Sequence, residues 1–231
     1  MEPRQLPGRA ADIYKEIRRK YKVGFEPLRV RDKELELLQV TDLEALLGGK
    51  DPFQDVSSFP FWVKIWESAL VLADFMATTP AAPGQTLLEL GAGLGAPGLV
   101  AAASGYQVTL SDFEPLILDF QRVSAAASGL TGVRFELIDW LRPPALPPFD
   151  TIIGAEILFR EDFFAPLLTV FSKLLAPEGT IYLAHDVRRK SLPPFLQLAG
   201  KEFEIGVSKR RITSGDESVT VILNRLRPRK K

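Results

Sequence analysis

The sequence predicts an α/β fold: a doubly wound sheet of seven strands, mostly parallel, with an antiparallel C-terminal strand. Three observations predict it. From Thr86 onward, short apolar strand-like runs alternate with helix-like runs, which implies parallel pairing through right-handed crossovers. Gly91, Gly93 and Gly95 follow the first of these strands and open a helix, as in nucleotide-binding α/β folds. The last two strand-like runs, 202–207 and 219–226, are joined by a short turn and so pair antiparallel.

The elements follow in order. Residues 11–21 have helical spacing, with Ile13, Ile17 and Tyr21 on one stripe. Residues 22–30 and 34–40 alternate in part around Arg31-Asp32-Lys33, which predicts a hairpin. Residues 42–47 read as a short helix ending at Gly48-Gly49. Residues 50–60 read as a loop, and 66–76 as a helix carrying Leu70, Leu72 and Phe75. The sheet region then runs strand 86–90, helix 95–104, strand 106–110, helix 115–127 and strand 133–138. A proline-rich loop at 142–148 precedes strand 150–155, helix 163–175, strand 180–184 and helix 193–199. The 231 residues thus divide into an N-terminal extension (1–60), expected to form part of a lid, one ligand-binding domain (61–226) and a basic tail (227–231).

Composition excludes several chemistries. The chain has no cysteine, which removes disulfide scaffolds, cysteine-ligated metal sites and thiol catalysis. Its single histidine, His185, leaves little material for a metal cage or a Ser-His-Asp triad. No apolar stretch reads as a lipid-spanning helix or signal peptide, so no membrane role and a cytoplasmic setting are expected. Charge is uneven: residues 36–187 carry 7 basic against 19 acidic side chains, and residues 188–231 carry 12 against 4. The basic end is either solvated charge or a guide for an acidic partner or phosphate backbone.

The strongest motif is Glu89-Leu90-Gly91-Ala92-Gly93-Leu94-Gly95. Glycines there permit a tight turn and close approach of a ligand to backbone amides and the positive end of the following helix. Asp112, at the end of the next strand, can accept hydrogen bonds from both hydroxyls of a ribose. This pattern alone also satisfies a dinucleotide fingerprint. Glu89 argues otherwise, because a carboxylate beside the glycine turn suits a ligand with an ammonium group and repels a pyrophosphate. Asp139 and Trp140, after the third strand, can bind an adenine through its exocyclic amine and one ring face.

These residues resemble those of the class I S-adenosylmethionine-dependent methyltransferases, the Rossmann-like seven-stranded kind, over roughly residues 60–226. Glu89–Gly95 resembles the family's first motif, Asp112 its acid after the second strand, and 175–179 its Leu-x-Pro-x-Gly turn. The chain is most similar to the protein-lysine methyltransferases marked by an Asp/Glu-x-x-Tyr/Phe motif after the fourth strand, here Glu156-Ile157-Leu158-Phe159. Ile138-Asp139-Trp140 and the helix opening at Trp66 share that similarity. Glu156 stands where aspartate is commoner and Phe159 where tyrosine is commoner. The resemblance implies S-adenosyl-L-methionine as cofactor, held by Trp66, Glu89, Gly91, Gly93, Gly95, Asp112, Asp139, Trp140 and Ala155. It implies no metal, a protein substrate, and Glu156 and Phe159 at the reacting amine.

Methyl transfer needs an electron pair about 3 Å from the methyl carbon and in line with the breaking bond. Glu156 can orient an amine for that purpose. It can also hold the amine as ammonium, which opposes reaction, so its expected role is positioning rather than general base. The Asn/Asp-Pro-Pro-Tyr/Phe motif of nucleic-acid amino-methyltransferases is absent at 156–159, which disfavours a base as substrate. Small-molecule or RNA methylation, an NAD(P)-dependent oxidoreductase and a non-catalytic nucleotide-binding module stay open. Glu89, Asp139 and Trp140 argue against the oxidoreductase. His185 and Asp186 are expected to end the fifth strand on the ligand-binding rim, with His185 an ordinary loop residue and not a catalyst.

Overall fold

A computed structural model describes residues 6–48, 59–214 and 217–230, apart from the side chains of residues 213, 214 and 217. The loop expected at 50–60 therefore lies mostly outside the described residues, as do the tip of the last hairpin and Lys231.

The N-terminal part comprises α1 (Gly8–Lys20), a hairpin of β1 (Val23–Val30) and β2 (Lys33–Val40), and the single turn α2 (Glu44–Leu47). Helix α3 (Glu67–Thr78) follows. Then come β3 (Thr86–Glu89), α4 (Ala96–Ala103), β4 (Gln107–Asp112), α5 (Pro115–Ala127), β5 (Arg134–Leu137) and β6 (Phe149–Ala155). Helix α6 (Phe164–Leu174), β7 (Leu175–Asp186), α7 (Leu192–Ala199), β8 (Phe203–Ser214) and β9 (Glu217–Pro228) complete the chain.

Strands β3 to β9 form one seven-stranded sheet in the order β5-β4-β3-β6-β7-β9-β8. All neighbours pair parallel except β9, which runs antiparallel to both β7 and β8. The order reverses between β3 and β6, and open α/β sheets bind ligands at the carboxyl ends of strands flanking such a reversal.

The central strands are apolar on both faces because helices cover both. Leu88, Ile152, Leu183 and Ile181 belong to one buried cluster with Phe164, Phe171 and Phe195 of α6 and α7. Leu87, Val108, Leu110 and Ile153 belong to another with Leu72, Met76, Leu99 and Val100 of α3 and α4. Neighbours Leu87 and Leu88 thus serve opposite faces, as the two-residue period of a strand requires.

The hairpin shares this core. Ile17 and Leu38 pack with Phe120, Val123 and Leu94. The Leu38 and Glu36 amides donate to the hydroxyls of Ser124 on α5 and Ser128 just after it, each at 2.9 Å. The segment that borders the ligand cavity is 59–66, joined by Leu46.

Four boundaries depart from the sequence reading. Trp66 is the extended residue that caps α3, not its first helical residue. Strand β7 begins at Leu175, so the Leu-x-Pro-x-Gly segment is an irregularity inside a strand. Its register jumps from Phe149 opposite Leu175 to Thr151 opposite Thr180, with Pro177, which has no amide hydrogen, in the looped-out part. Strand β8 continues through Lys209-Arg210-Arg211. Charge there does not end the strand, because β8 is the sheet edge and edge strands tolerate it. Strand β9 runs to Pro228, so Arg227, assigned to the tail by its charge, pairs with Glu204 in the sheet.

Candidate active site

The turn after β3 places its glycines in left-handed backbone, with φ of 58° at Gly91, 53° at Gly93 and 77° at Gly95, a region that L side chains rarely adopt. The loop is tied down by its own neighbours. Ala92 donates to the Ser111 carbonyl at 2.9 Å, and the buried Gln121 amide donates to the Gly93 carbonyl at 2.7 Å. Sequence reasoning missed Gln121. Its signal was a polar side chain within an otherwise apolar helix stripe.

Three carboxylates end the first three sheet strands or the turns that follow them. Glu89 is 1% exposed and accepts the Gly98 amide at 2.8 Å. Burial, chiefly, pushes its pKa up to about 8, against the Gly98 hydrogen bond and with help from the Asp112 charge. Glu89 is therefore largely protonated at neutral pH before any cation arrives. Gly98 is a second residue that sequence reasoning passed over: a Cβ there would lie 2.5 Å from Glu89 Oε2. Asp112 accepts the Gly93 and Phe113 amides at 2.9 and 2.8 Å, and burial raises its pKa against those bonds. Asp139 accepts the Leu141 amide at 2.9 Å. An ionised carboxylate has about four acceptor sites and a protonated one keeps a donor and part of that capacity, so each of the three can still meet a ligand.

These groups line a cavity of about 810 Å³, together with Trp62, Trp66, Phe113, Trp140, Ala155, Glu156 and Phe159. The volume suits a nucleoside-sized ligand. Trp140 is half-buried beside the glycine turn, and a Cβ on Gly91 would lie 3.4 Å from its ring. Trp140 also meets Phe163 edge-on at 5.6 Å, and Phe159 lies 5.7 Å from Phe163. Trp66 donates its indole N–H to the Phe61 carbonyl at 3.1 Å, and Lys64 lies over its ring.

The wall around Glu156 is built differently. Glu156 follows β6 with φ of 56°, left-handed for a non-glycine residue, and its amide donates to the Ala184 carbonyl at 2.9 Å. Strain of this kind persists only where surrounding structure enforces it, and it clusters at functional sites. Glu156 Oε1 accepts the Asp186 amide at 2.6 Å. Oε2 accepts Nε of Arg189 at 2.9 Å and also its Nη2. Asp186 in turn carries Arg188, whose guanidinium holds the Asp186 pKa below the usual range. A second cavity, of about 770 Å³, opens here. Trp66, Glu156 and Phe159 line both cavities, so Glu156 stands in the wall between them. Ser68 lines the second cavity, and its buried hydroxyl has no partner among the described residues.

His185 is not a rim loop residue. It lies within β7 opposite Ile222 and is fully buried, with neither ring nitrogen hydrogen-bonded among the described residues. Burial, and secondarily the Arg189 charge, pushes its pKa down to about 3. It is neutral at physiological pH and lines neither cavity. Among the described residues no three acidic or histidine side chains gather to hold a metal ion, and no helix is long and apolar enough to cross a membrane.

Residues 55–202 match a family model described as lysine methyltransferase. The chain belongs to this lysine methyltransferase family. It is an S-adenosylmethionine-dependent methyltransferase, with S-adenosylmethionine as its cofactor. Among its relatives is EEF1A lysine methyltransferase 3 of Mus musculus, 31% identical over 72% of this chain and 72% of that protein. Protein N-lysine methyltransferase METTL21A of Xenopus tropicalis is 30% identical over 61% of this chain and 68% of that one. Histone-arginine methyltransferase METTL23 of Homo sapiens is 34% identical over 54% of this chain and 70% of that one. The fold is that of a S-adenosylmethionine-dependent methyltransferase from Agrobacterium tumefaciens, with a TM-score of 0.62 at 18% identity over 89% of this chain and 70% of that one. It is also that of the N-methyltransferase NodS from Bradyrhizobium japonicum, solved with S-adenosylhomocysteine, with a TM-score of 0.57 at 19% identity over 81% and 97% of the two chains.

Proposed function

We propose that this methyltransferase modifies the side-chain nitrogen of a lysine in a protein substrate. The observation that carries the reading is the position of Glu156 in the wall shared by the two cavities. In this reading the glycine-loop cavity holds the cofactor. The glycine turn at Gly91, Gly93 and Gly95 receives it closely, Asp112 takes the ribose hydroxyls, and Asp139 takes the adenine amine. Trp140, Trp66 and Ala155 supply the apolar walls. Glu89 faces the ammonium group and ionises as that group arrives. S-adenosylmethionine, when bound, supplies an electrophilic methyl carbon on a positively charged sulfur. The lysine enters from the second cavity between Trp66 and Phe159, and Glu156 orients its nitrogen by accepting an amine hydrogen.

The relatives include both lysine and arginine enzymes by name. The acceptor mouth favours lysine. A substrate guanidinium docks best on a free carboxylate fork, and Arg189 already occupies Oε2 of Glu156 while the Asp186 amide occupies Oε1. A primary amine needs only one remaining acceptor site. RNA is disfavoured as substrate. Arg225 and Arg227 sit opposite Gly206 and Glu204, on the other face of β8–β9 from Lys209 and Arg211, so the basic residues divide between two faces and form no single stripe. Arg227 and Arg229 are engaged by Thr180 and the Gly200 carbonyl. A cytoplasmic setting belongs to the same proposal and is tested by fractionating cells that express the tagged chain.

The decisive test is transfer of a tritiated methyl group from S-adenosylmethionine to lysate proteins, followed by hydrolysis to amino acids. Label in methyllysine is expected. Label in methylarginine, or in RNA, would overturn the assignment.

A further inference from the structure

A lysine amine reaches an enzyme almost wholly as ammonium, since a pKa of about 10.4 leaves roughly one molecule in 2,500 neutral at pH 7. Only the neutral form has the electron pair that attacks. An isolated carboxylate beside it would favour the unreactive form. The acceptor mouth does not present an isolated carboxylate. Glu156 is 13% exposed and its partner Arg189 34%, so solvent and salt screen this pair less than a surface one. The pairing is fixed by the chain: the Arg189 amide donates to the Asp186 carbonyl at 2.9 Å, and Leu192 donates to the Arg189 carbonyl at 3.2 Å as α7 begins.

The charges around the pair also cancel. Asp186 carries Arg188, and Lys64 lies 3.8 Å from Glu67 at the start of α3. Glu161 and Lys190 complete the charged wall, which holds four acids and four bases. His185, buried nearby in β7, is neutral.

We propose that Arg189 is a positioning residue for the reaction: it pairs with Glu156 so that the carboxylate accepts a hydrogen bond from the incoming amine without the net negative charge that would hold that amine as ammonium. The proposal rests on the reading of the acceptor as an amine. The ammonium gives one proton to water. The freed electron pair then forms the new N–C bond as the C–S bond breaks and its electrons stay on sulfur. Glu156 takes no proton in this scheme and keeps its hydrogen bonds with Arg189 and the Asp186 amide.

The test compares wild type with Arg189→Gln, which keeps polarity and loses charge. With S-adenosylhomocysteine present at pH 7, n-butylammonium should bind Arg189→Gln about tenfold more tightly in a calorimetric titration. In a pH series of kcat at saturating lysine substrate, the acid limb should move up by about one pH unit, and Arg189→Lys should return it toward wild type. Arg189→Met carries the same expectation if the glutamine variant melts early. A limb that stays in place while the rate falls equally at every pH, with n-butylammonium bound no more tightly, would make Arg189 merely structural and overturn the proposal. Failure of the lysine reading shows separately, as label on something other than an amine. The n-butylammonium comparison still decides the role of Arg189 in that event.

Discussion

The two halves of the site differ in how their acids are held. At the ends of β3, β4 and β5 each carboxylate is bound by backbone amides: Glu89 by Gly98, Asp112 by Phe113 and by Gly93 of the glycine turn 19 residues earlier, and Asp139 by Leu141. At the ends of β6 and β7 the acid is bound from across the chain, Glu156 by Arg189 and the Asp186 amide. The first half is a cradle of neighbouring strand ends whose acids are held by backbone amides. The second is a charge balance between a strained strand end and a turn 33 residues away. The contrast suits their tasks, since the cofactor is always the same molecule while the acceptor must be admitted, oriented and kept neutral.

Breaking the cradle should produce the largest effects. Gly98→Val forces a side chain into Glu89 and Leu110, and overpacking of this kind costs about 3 kcal/mol. Its melting temperature should fall and its affinity for S-adenosylhomocysteine with it; an unchanged melt would mean that the cradle is not rigid. Next is Asp112→Ala, which removes the charged acceptor expected at the ribose. Loss of such bonds is worth about 1.5–3 kcal/mol, so calorimetry should show affinity down by roughly ten- to a hundredfold, with stability less affected.

The buried titratable groups sharpen the comparison through pH. Glu89 has a folded pKa raised to about 8, so its contribution to stability is full below its unfolded value of 4.5 and is lost as pH rises toward 8. His185 has a folded pKa lowered to about 3, so its contribution is full above 6.5 and is lost as pH falls toward 3. In urea titrations, Glu89→Gln should therefore gain on wild type between pH 5 and about 8. His185→Leu should lose less stability than wild type between pH 6.5 and about 4. The smallest effect is expected from Phe159→Tyr. Phe159 is 52% exposed at the junction of the cavities, and the added hydroxyl should change methyl transfer by less than about tenfold.

The legibility of the site follows the same division. The parallel sheet with its antiparallel end, the glycine turn and its three acids were readable because each is a short segment with its own pattern. Gln121 and Gly98 escaped, since their roles depend on which atoms approach them in three dimensions. Glu156 was readable as a motif, but its ion pair was not, because nothing in the sequence ties position 156 to Arg189 rather than to Arg188 or Lys190. His185 was readable as a strand-end residue but not as a buried one, because only its pairing with β9 shows that residue 185 lies inside the sheet. Charge misled at both C-terminal boundaries, where Lys209–Arg211 and Arg227 were left outside the strands although the backbone around them is paired.

The measurement that most directly tests the division of labour is a paired assay of Glu156→Ala. Calorimetry would read S-adenosylhomocysteine affinity, and labelled S-adenosylmethionine would read methyl transfer. Affinity should stay within about tenfold of wild type, or 1.4 kcal/mol, while transfer falls by about a hundredfold or more. Transfer that survives unchanged would remove Glu156 from the reaction. Affinity and transfer lost together would show that the cradle and the acceptor mouth are one site rather than two.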